Sequence, residues 1–201
     1  MTGERYVQRF SRTERAVHWV HASAFFVLLG SGLVLYLPSL AAEVGRRPLV
    51  KDVHVLTALA WAVALLAVVA LGDRRGLRAT ARELDVFDAD DRRWLAGRPA
   101  PQGRFNAGQK LNAALTAAFA SLFAVSGALL WLGERDTRFR FDSTIVLHDV
   151  LTYVSVALLA GHLYLAVIHP TTRHALRGIT VGSVREDWAR EHHAKWPTDA
   201  E

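Results

Sequence analysis

The sequence predicts an all-α protein: a single integral membrane domain over residues 1–201 that contains a bundle of four transmembrane helices. About half of the chain, 51%, is hydrophobic, and its mean hydropathy is +0.15, which is more apolar than is usual for a soluble domain. Long stretches also lack charged residues, and a bilayer core about 30 Å thick needs roughly 20 mainly apolar residues of helix. The predicted spans lie near residues 16–37, 53–72, 111–133 and 145–168.

The spacing of charged residues defines each span. There are 27 uncharged positions after Arg15, 20 after Asp52 and 23 after Lys110, and the fourth stretch is interrupted only by Asp149. A buried helix of a soluble protein could explain one such run, but four runs in 201 residues favour membrane spans. The first run exceeds the roughly 7–15 apolar residues of a signal peptide, so we expect it to be a permanent helix.

Basic residues flank the spans unequally. Residues 1–15, the polar connection 73–110 and the segment after the last span together carry 18 lysines and arginines, whereas the opposite side carries six. Because basic residues mark the cytoplasmic face, both termini and 73–110 are predicted to be cytoplasmic. Their position beside apolar segments favours a membrane topology signal, so the expected partner is membrane lipid and not nucleic acid. A short helix is predicted around 74–84 within the connection.

Histidine, and not cysteine, is the residue that could hold a metal in this chain. Cysteine is absent, which excludes disulfides, thiolate metal sites, cysteine-ligated iron–sulfur clusters and c-type haem attachment. An ionisable residue inside a membrane is costly and is a functional candidate by default, and neutral histidine is a common axial ligand of haem iron. Six of the nine histidines fall in or at the ends of the spans: His18, His21, His54, His148, His162 and His169.

Four of these histidines form two pairs at two depths. His148 and His162 lie 14 residues apart on one predicted helix, which places them within about 40° of each other around the axis and about 21 Å apart along it. The predicted topology puts His54 at the outer end of the second span, level with His148, and His18 near the cytoplasmic end, level with His162. Such paired imidazoles are expected to ligate two b-type haems stacked across the bilayer.

Other roles for the histidines stay open. Each one alone could be a packing or interfacial residue, and His21, one turn after His18, is a rival ligand. His169 precedes Pro170 and is expected at the membrane interface. A zinc or di-iron site is a weak alternative, because Asp149 is the only carboxylate inside a span. Three histidines are expected on the surface of a solvated tail: His174, His192 and His193.

Small and basic residues are compatible with a cofactor but have simpler explanations. Glycines in the first span and a Ser-Gly pair in the third could let a flat macrocycle approach the backbone, or could only permit close helix packing. Arg12 and Arg15 could pair with haem propionates, or could only anchor the cytoplasmic end. The small residues in question are Gly30, Gly32, Ser126 and Gly127.

Several motifs are spread along the chain: RFSRTERAVHW at 9–19, Val53-His54, RFNAGQK at 104–110, the His148 and His162 pair, and a tail with Trp188, His192, His193 and Trp196. In these features, and over nearly its whole length, the sequence resembles the cytochrome b (gamma) subunit of membrane-bound formate dehydrogenases. The run FNAGQK at 105–110 is the most specific of them. The Arg-x-x-His-Trp motif is shared with two-haem cytochromes of hydrogenases and thiosulfate reductases.

The resemblance implies the ligands and the quinone site. It implies an outer haem held by His54 and His148, and an inner haem held by His18 and His162, the pairing that topology also gives. It implies a menaquinone site on the cytoplasmic side beside the inner haem, and the family's polar contacts match Asn106, Gly108 and Gln109. Side-chain amides at a helix start can hydrogen-bond a quinone oxygen, although Asn106 could instead be only the N-cap of the third span.

The resemblance also implies a complex in the bacterial cytoplasmic (inner) membrane. A molybdenum or tungsten catalytic (alpha) subunit would oxidise formate, and an iron–sulfur (beta) subunit would pass the electrons to this chain. The chain itself would be an electron-transfer and quinone-reducing subunit that cannot oxidise formate alone. Two alternatives remain: a two-haem cytochrome b serving another dehydrogenase, such as a Ni/Fe hydrogenase, and a haem-free membrane transporter or scaffold.

Overall fold

The computed structural model describes residues 4–196, and four of its helices are long and apolar enough to cross a membrane. These helices cover the four predicted spans, which confirms the predicted all-α membrane fold class. By length and composition the candidate spans are Arg12–Tyr36, Arg47–Leu71, Ala107–Gly133 and Asp142–Ile168.

Shorter elements connect the long helices. The helix predicted around 74–84 is confirmed by α4, whereas α5 was not predicted. The helices are α1 (Arg12–Tyr36), α2 (Pro38–Val44), α3 (Arg47–Leu71), α4 (Arg74–Asp85), α5 (Ala89–Leu95), α6 (Ala107–Gly133), α7 (Asp142–Leu163), α8 (Leu176–Thr180) and α9 (Glu186–His192). The strands are β1 (Tyr6–Gln8) and β2 (Ser183–Arg185), and 3₁₀ turns occur at Thr137–Phe139 and Arg173–Ala175.

All four long helices begin before the predicted spans, and in α1 and α6 polar caps start the helix outside the apolar stretch. Ser11 caps α1: its Oγ accepts from the Glu14 backbone N–H at 3.2 Å, and the Glu14 carboxylate accepts from the Ser11 N–H at 2.7 Å. Asn106 and Gln109 form the same capping box at α6. Pro48 lies in the first turn of α3, where its missing N–H costs no hydrogen bond. The first charge-free residue of a span therefore does not mark the start of its helix.

The last span ends through a change of helix type. After Leu163 the chain forms a π-helical turn over Tyr164–Ile168, and the His169 N–H donates to the Tyr164 carbonyl at 2.9 Å. Pro170 follows, and its ring cannot continue a helix. The predicted end at residue 168 therefore agrees with the structure.

The chain divides into two compact units. One consists of Phe10–Arg78 and contains α1 and α3; we call it the α1–α3 unit. The other contains α6 and α7 and comprises, of the described residues, 4–9 and 79–196; we call it the α6–α7 unit. Each unit holds two of the four long helices.

In the α1–α3 unit the two long helices run antiparallel. At one end the Asp73 N–H donates to Thr13 Oγ1 at 3.0 Å, and at the other the Arg47 guanidinium donates to the Leu35 carbonyl at 3.4 Å. Gly72 lies against Thr13 so closely that a Cβ on it would clash with the threonine side chain, so glycine permits the approach of the helix ends there. Four apolar residues of α3 form an exposed stripe with helical spacing that lipid would cover: Leu56, Leu59, Val63 and Leu66.

In the α6–α7 unit a small folded layer of β1, β2 and α9, which we call the polar layer, is added to the helix pair. Strands β1 and β2 pair antiparallel, with Val7 opposite Val184. Val184 is fully buried, and with Trp188 and Ala189 of α9 it forms a small core against which Trp196 also packs. Residues from near both ends of the chain thus fold together on the same unit.

Candidate cofactor sites

His54 is held in one orientation by a serine of the neighbouring helix. It lies in the second turn of α3, and its Nδ1 is 2.9 Å from Ser31 Oγ on α1. The Ser31 hydroxyl is also 2.7 Å from the Val27 carbonyl, which can only accept a hydrogen bond. The single hydroxyl hydrogen is therefore used there, and Nδ1–H must donate to Ser31. A neutral imidazole protonated on Nδ1 carries its lone pair on Nε2, the form that can ligate iron.

His148 has the same arrangement in the α6–α7 unit. Its Nδ1 lies 2.9 Å from Ser126 Oγ on α6, and that hydroxyl is 2.7 Å from the Leu122 carbonyl. By the same reasoning Nδ1 carries the proton and Nε2 the lone pair. Phe123 contacts the ring edge-on at a centroid distance of 5.1 Å and restricts it further.

A glycine follows each of these serines and faces the imidazole. A Cβ on Gly32 would lie 3.5 Å from His54 Cε1, and one on Gly127 would lie 3.7 Å from His148 Cε1. Gly30, by contrast, has no atom within 4 Å of an added Cβ. Two of the small-residue positions noted in the sequence therefore adjoin a predicted haem ligand.

The other two predicted ligands lie toward the opposite ends of their units. His18 is in the second turn of α1, half-buried, with its ring edge-on to Trp19 at 5.2 Å. His162 is exposed near the end of α7, which is continuous from His148, as predicted. The two members of each predicted pair belong to different units, and the pairing stays a prediction.

His21 and His169 have different surroundings. The His21 ring packs against Phe25 and Trp61 at centroid distances of 6.3 and 5.9 Å, an aromatic contact within the α1–α3 unit. His169 lies just after the last span, with its Nδ1 within 3.1 Å of Thr171 Oγ1 and 3.2 Å of Thr172 Oγ1. Both environments account for these residues without a ligand role.

The predicted quinone residues lie at the start of α6. Asn106 is the N-cap: its Oδ1 accepts from the Gln109 N–H at 2.9 Å, and Gln109 Oε1 accepts from the Asn106 N–H at 3.1 Å. Both side-chain oxygens are thus used by the helix start, which confirms the capping role. Within 4–196 neither side-chain NH₂ group makes a hydrogen bond, and both residues are partly exposed. Gly108 packs against the Trp94 ring, 3.1 Å from the position of an added Cβ.

Comparison with known proteins identifies the family of this chain. A family model described as prokaryotic cytochrome b561 matches residues 9–182. The chain belongs to the prokaryotic cytochrome b561 family.

Named relatives of this cytochrome b561-family chain are subunits of formate dehydrogenases. It is 21% identical to the nitrate-inducible cytochrome b556(Fdn) subunit of Escherichia coli K12, covering 100% of this chain and 94% of the relative. It is 24% identical to the cytochrome b556(fdo) subunit of the same strain, covering 94% and 91%. It is 23% identical to the Haemophilus influenzae cytochrome b556 subunit, covering 98% and 84%. The resemblance inferred from the motifs is confirmed: this is a membrane cytochrome related to formate dehydrogenase cytochrome b.

The donor set fits haem b, which membership in this cytochrome family implies. Two histidines from two helix pairs carry the Nε2 lone pair, each fixed by a hydrogen bond on the other ring nitrogen. Metal-ligating histidines characteristically donate their second N–H to an acceptor in this way.

A buried polar network surrounds the start of α6 in this cytochrome b561-family chain. Arg9, 2% exposed, donates from Nη2 to the Arg104 carbonyl at 2.9 Å, to Gln109 Oε1 at 3.2 Å and to His193 Nε2 at 3.3 Å. His193 Nδ1 donates to the Gly103 carbonyl at 2.6 Å. Gln109 Oε1 accepts two N–H groups, which fixes its amide orientation and directs its NH₂ group elsewhere.

The prediction that His193 lies on the surface is wrong: it is 2% exposed. Pairing of β1 with β2 brings α9 back over the unit, and the His193 ring contacts Trp188 at 5.2 Å. Burial first, and then the Arg9 charge, lower the His193 pKa to about 4. Of the other tail histidines, His192 is half-buried and stacks on Trp188 at 5.1 Å, whereas His174 is exposed as predicted.

Sequence reasoning missed the residues that hold these candidates in place. Ser126 was considered only as a small residue, and Ser31 was not considered. Ser31 precedes His54 by 23 residues, and Ser126 precedes His148 by 22. That repeated Ser-Gly to His spacing is a usable signal. Arg9 and Trp94 carried no local signal, because their partners are distant in the chain.

Proposed function

We propose that this chain is the membrane-anchor cytochrome b subunit of a formate dehydrogenase complex, carrying electrons from an iron–sulfur subunit through two b haems to menaquinone. It would be one di-haem domain over 1–201 in a bacterial cytoplasmic membrane. The observation that carries the proposal is the matched state of His54 and His148, each with Nδ1–H donated to a serine and Nε2 bearing the lone pair.

Within this proposal His54 and His148 hold one haem iron, and His18 and His162 hold the second. When bound, the two haems supply one-electron transfer along the bundle. Within each unit the serine hydrogen bonds orient the His54 and His148 imidazoles. Exposed Arg12, in the first turn of α1, is available to pair with a propionate.

The start of α6 is the proposed quinone site. The NH₂ groups of Asn106 and Gln109 are the available donors for a quinone oxygen, and Arg9 holds the Gln109 side chain in place. Gly108 lacks a Cβ, which lets the Trp94 ring pack against the first turn of α6 beside these two amides. Capping and quinone binding are compatible, because capping uses the amide oxygens and quinone binding would use the amide nitrogens.

The proposed orientation places both termini and residues 73–110 in the cytoplasm. The imbalance of 18 basic residues against six supports it. Protons for quinone reduction would then enter from the cytoplasm, so that inward electron movement adds to the membrane potential. A C-terminal reporter should be active only on the cytoplasmic side; activity only outside would contradict this orientation.

The proposed donor is an iron–sulfur (beta) subunit, itself reduced by a molybdenum or tungsten catalytic (alpha) subunit. The names of the relatives support a formate dehydrogenase. Because the matching family is broader than those relatives, a two-haem cytochrome b for another dehydrogenase, such as a Ni/Fe hydrogenase, is the competing outcome.

The deciding experiment is substrate-driven haem reduction in membranes that contain the chain and its native partners. Formate should reduce the b-type haems, as followed by their absorbance, and added menaquinone analogue should reoxidise them. Reduction by hydrogen gas and not by formate would assign the chain to a hydrogenase instead. Reduction by formate without reoxidation by the quinone would remove the quinone from the proposal.

A further inference from the structure

We infer that Ser31 and Ser126 are positioning residues for the haem that His54 and His148 hold. Each serine accepts the Nδ1–H of a histidine from the partner helix of its own unit, at 2.9 Å in both cases. The inference rests on the proposed haem ligation and adds the residues that select the ligating tautomer and ring plane.

The strongest support is that the same device occurs in both units. Ser31 lies on α1 and serves α3, and Ser126 lies on α6 and serves α7. Each serine precedes its histidine by 23 or 22 residues, is followed by glycine, and donates its hydroxyl hydrogen to a backbone carbonyl at 2.7 Å. The same serine–histidine hydrogen-bond geometry therefore occurs independently in two helix pairs.

Ordinary helix chemistry does not explain the histidine contacts. A serine inside a helix commonly donates to the carbonyl four residues earlier and needs no other partner. Ser121, on α6, does this with the Ala117 carbonyl at 2.9 Å and is exposed. Ser126 makes the same backbone bond but is fully buried, with its oxygen aimed at His148. Ser121 therefore serves as a matched control on the same helix.

Because the hydroxyl hydrogen is donated to a backbone carbonyl, the serine oxygen can act toward the histidine only as an acceptor. The opposite tautomer of the histidine would place two lone pairs against each other. The device thus holds the proton on Nδ1 and the lone pair on Nε2 whether or not haem is bound. It also makes the imidazole a stronger electron donor to iron, which favours the oxidised haem.

The test is haem binding and redox titration of the full chain in membranes, with four variants. Ser31→Ala and Ser126→Ala remove the acceptor, Ser121→Ala is the control, and Ser31→Thr retains a hydroxyl. Alanine is the better helix former, so the helices should persist. Removing such outer contacts typically weakens metal binding by about 10–100-fold, and we expect weakening in that range.

Both alanine variants at the inferred positions should affect the same haem. That haem should be lost more readily on dilution and should titrate at a higher midpoint potential, while the haem of His18 and His162 stays unchanged. Ser121→Ala should match the wild type, and Ser31→Thr should restore its potential. Unchanged affinity and potential in Ser31→Ala and Ser126→Ala would overturn the inference.

The outcome separates this inference from the proposal beneath it. If His54→Ala removes a haem but Ser31→Ala leaves its affinity and potential unchanged, the positioning role fails and the haem ligation stands. If the wild-type chain binds no haem, or if His54→Ala retains two, the proposed ligation fails and the inference fails with it.

Discussion

The two helix pairs share one internal arrangement and differ at their ends. Each places a histidine near the start of its second long helix against a serine of its first. Among the residues that the structure describes, only those of the α6–α7 unit form such a polar layer, in which Arg9, His193 and Gln109 meet at the start of α6. The proposed haem ligands are thus common to both pairs, whereas the amide donors proposed for quinone belong to one.

The largest effects should come from the proposed haem ligands, of which each helix pair contributes two. His54→Ala or His148→Ala should remove one haem, and His18→Ala or His162→Ala the other, because a haem iron without one axial imidazole is weakly held. Haem per polypeptide should fall from about two to about one, by that ligand count.

His21→Ala is the control for this series, since the His21 ring packs on Trp61 within the same unit. It should leave both haems bound. Retention of both haems in His18→Ala together with loss of one in His21→Ala would show that the ligand is the neighbouring histidine.

A second prediction separates quinone binding from capping at α6. Asn106→Asp and Gln109→Glu keep an oxygen for the capping box and for Arg9 but remove the amide N–H donors. Reoxidation of reduced haem by menaquinone should slow by about 10-fold or more, the effect of losing one to two hydrogen bonds of about 1 kcal/mol each.

Haem content should stay normal in both carboxylate variants. Asn106→Ala and Gln109→Ala should slow reoxidation as well. Ser11→Ala, which removes the corresponding cap of α1, should not change the reoxidation rate. Wild-type reoxidation in the carboxylate variants would leave these residues with capping alone.

Acid should release the polar layer before it affects the helices. The buried neutral His193 has a pKa of about 4, against about 6.5 in an unfolded chain. Its contribution is complete above about pH 6.5 and is lost as the pH falls toward 4, because the unfolded tail binds the proton first. A shift of this size corresponds to something on the order of 3 kcal/mol. Arg9, whose burial lowers its own pKa to about 10, stays charged throughout and opposes protonation.

Hydrogen exchange of tail amides as a function of pH measures this release. The protection factors of the α9 amides, which are corrected for the intrinsic pH dependence of exchange, should fall between pH 6.5 and pH 4 in the wild type, and His193→Gln should abolish that fall. His192→Gln, at the half-buried neighbour that stacks on Trp188, is the control and should retain it. If the acid response persists in His193→Gln, a group other than His193 causes the release of the polar layer.

The smallest effects are expected from the N-caps of α1 and α6, which are both capping boxes. Ser11→Ala and Asn106→Ala each remove a capping-box acceptor and should each cost about 1 kcal/mol. Thermal denaturation followed by helical circular dichroism should show similar losses. A much larger loss at Asn106 would mean that the polar layer depends on that cap.

The sequence predicted what depends on local composition. The runs without charged residues predict all four candidate spans, and the short helix around 74–84 was predicted within the polar connection 73–110. The helix starts were missed because Ser11 and Asn106 extend helices beyond the apolar residues. The burial of His193 could not be read locally, since it depends on strand pairing between residues 6–8 and 183–185. The α5 helix was missed although its capping box of Asp88 and Asp91 is local, and Asp91 also forms an ion pair with Lys110 at 2.6 Å.

Haem quantification on the purified wild-type chain is the most direct test of the central claim. Pyridine haemochrome analysis should give about two b-type haems per polypeptide, because two histidine pairs are proposed as axial ligands. A value near one would mean that one of the pairs does not ligate iron. The absence of a haem spectrum would contradict haem binding and would favour the alternative of a haem-free membrane transporter or scaffold.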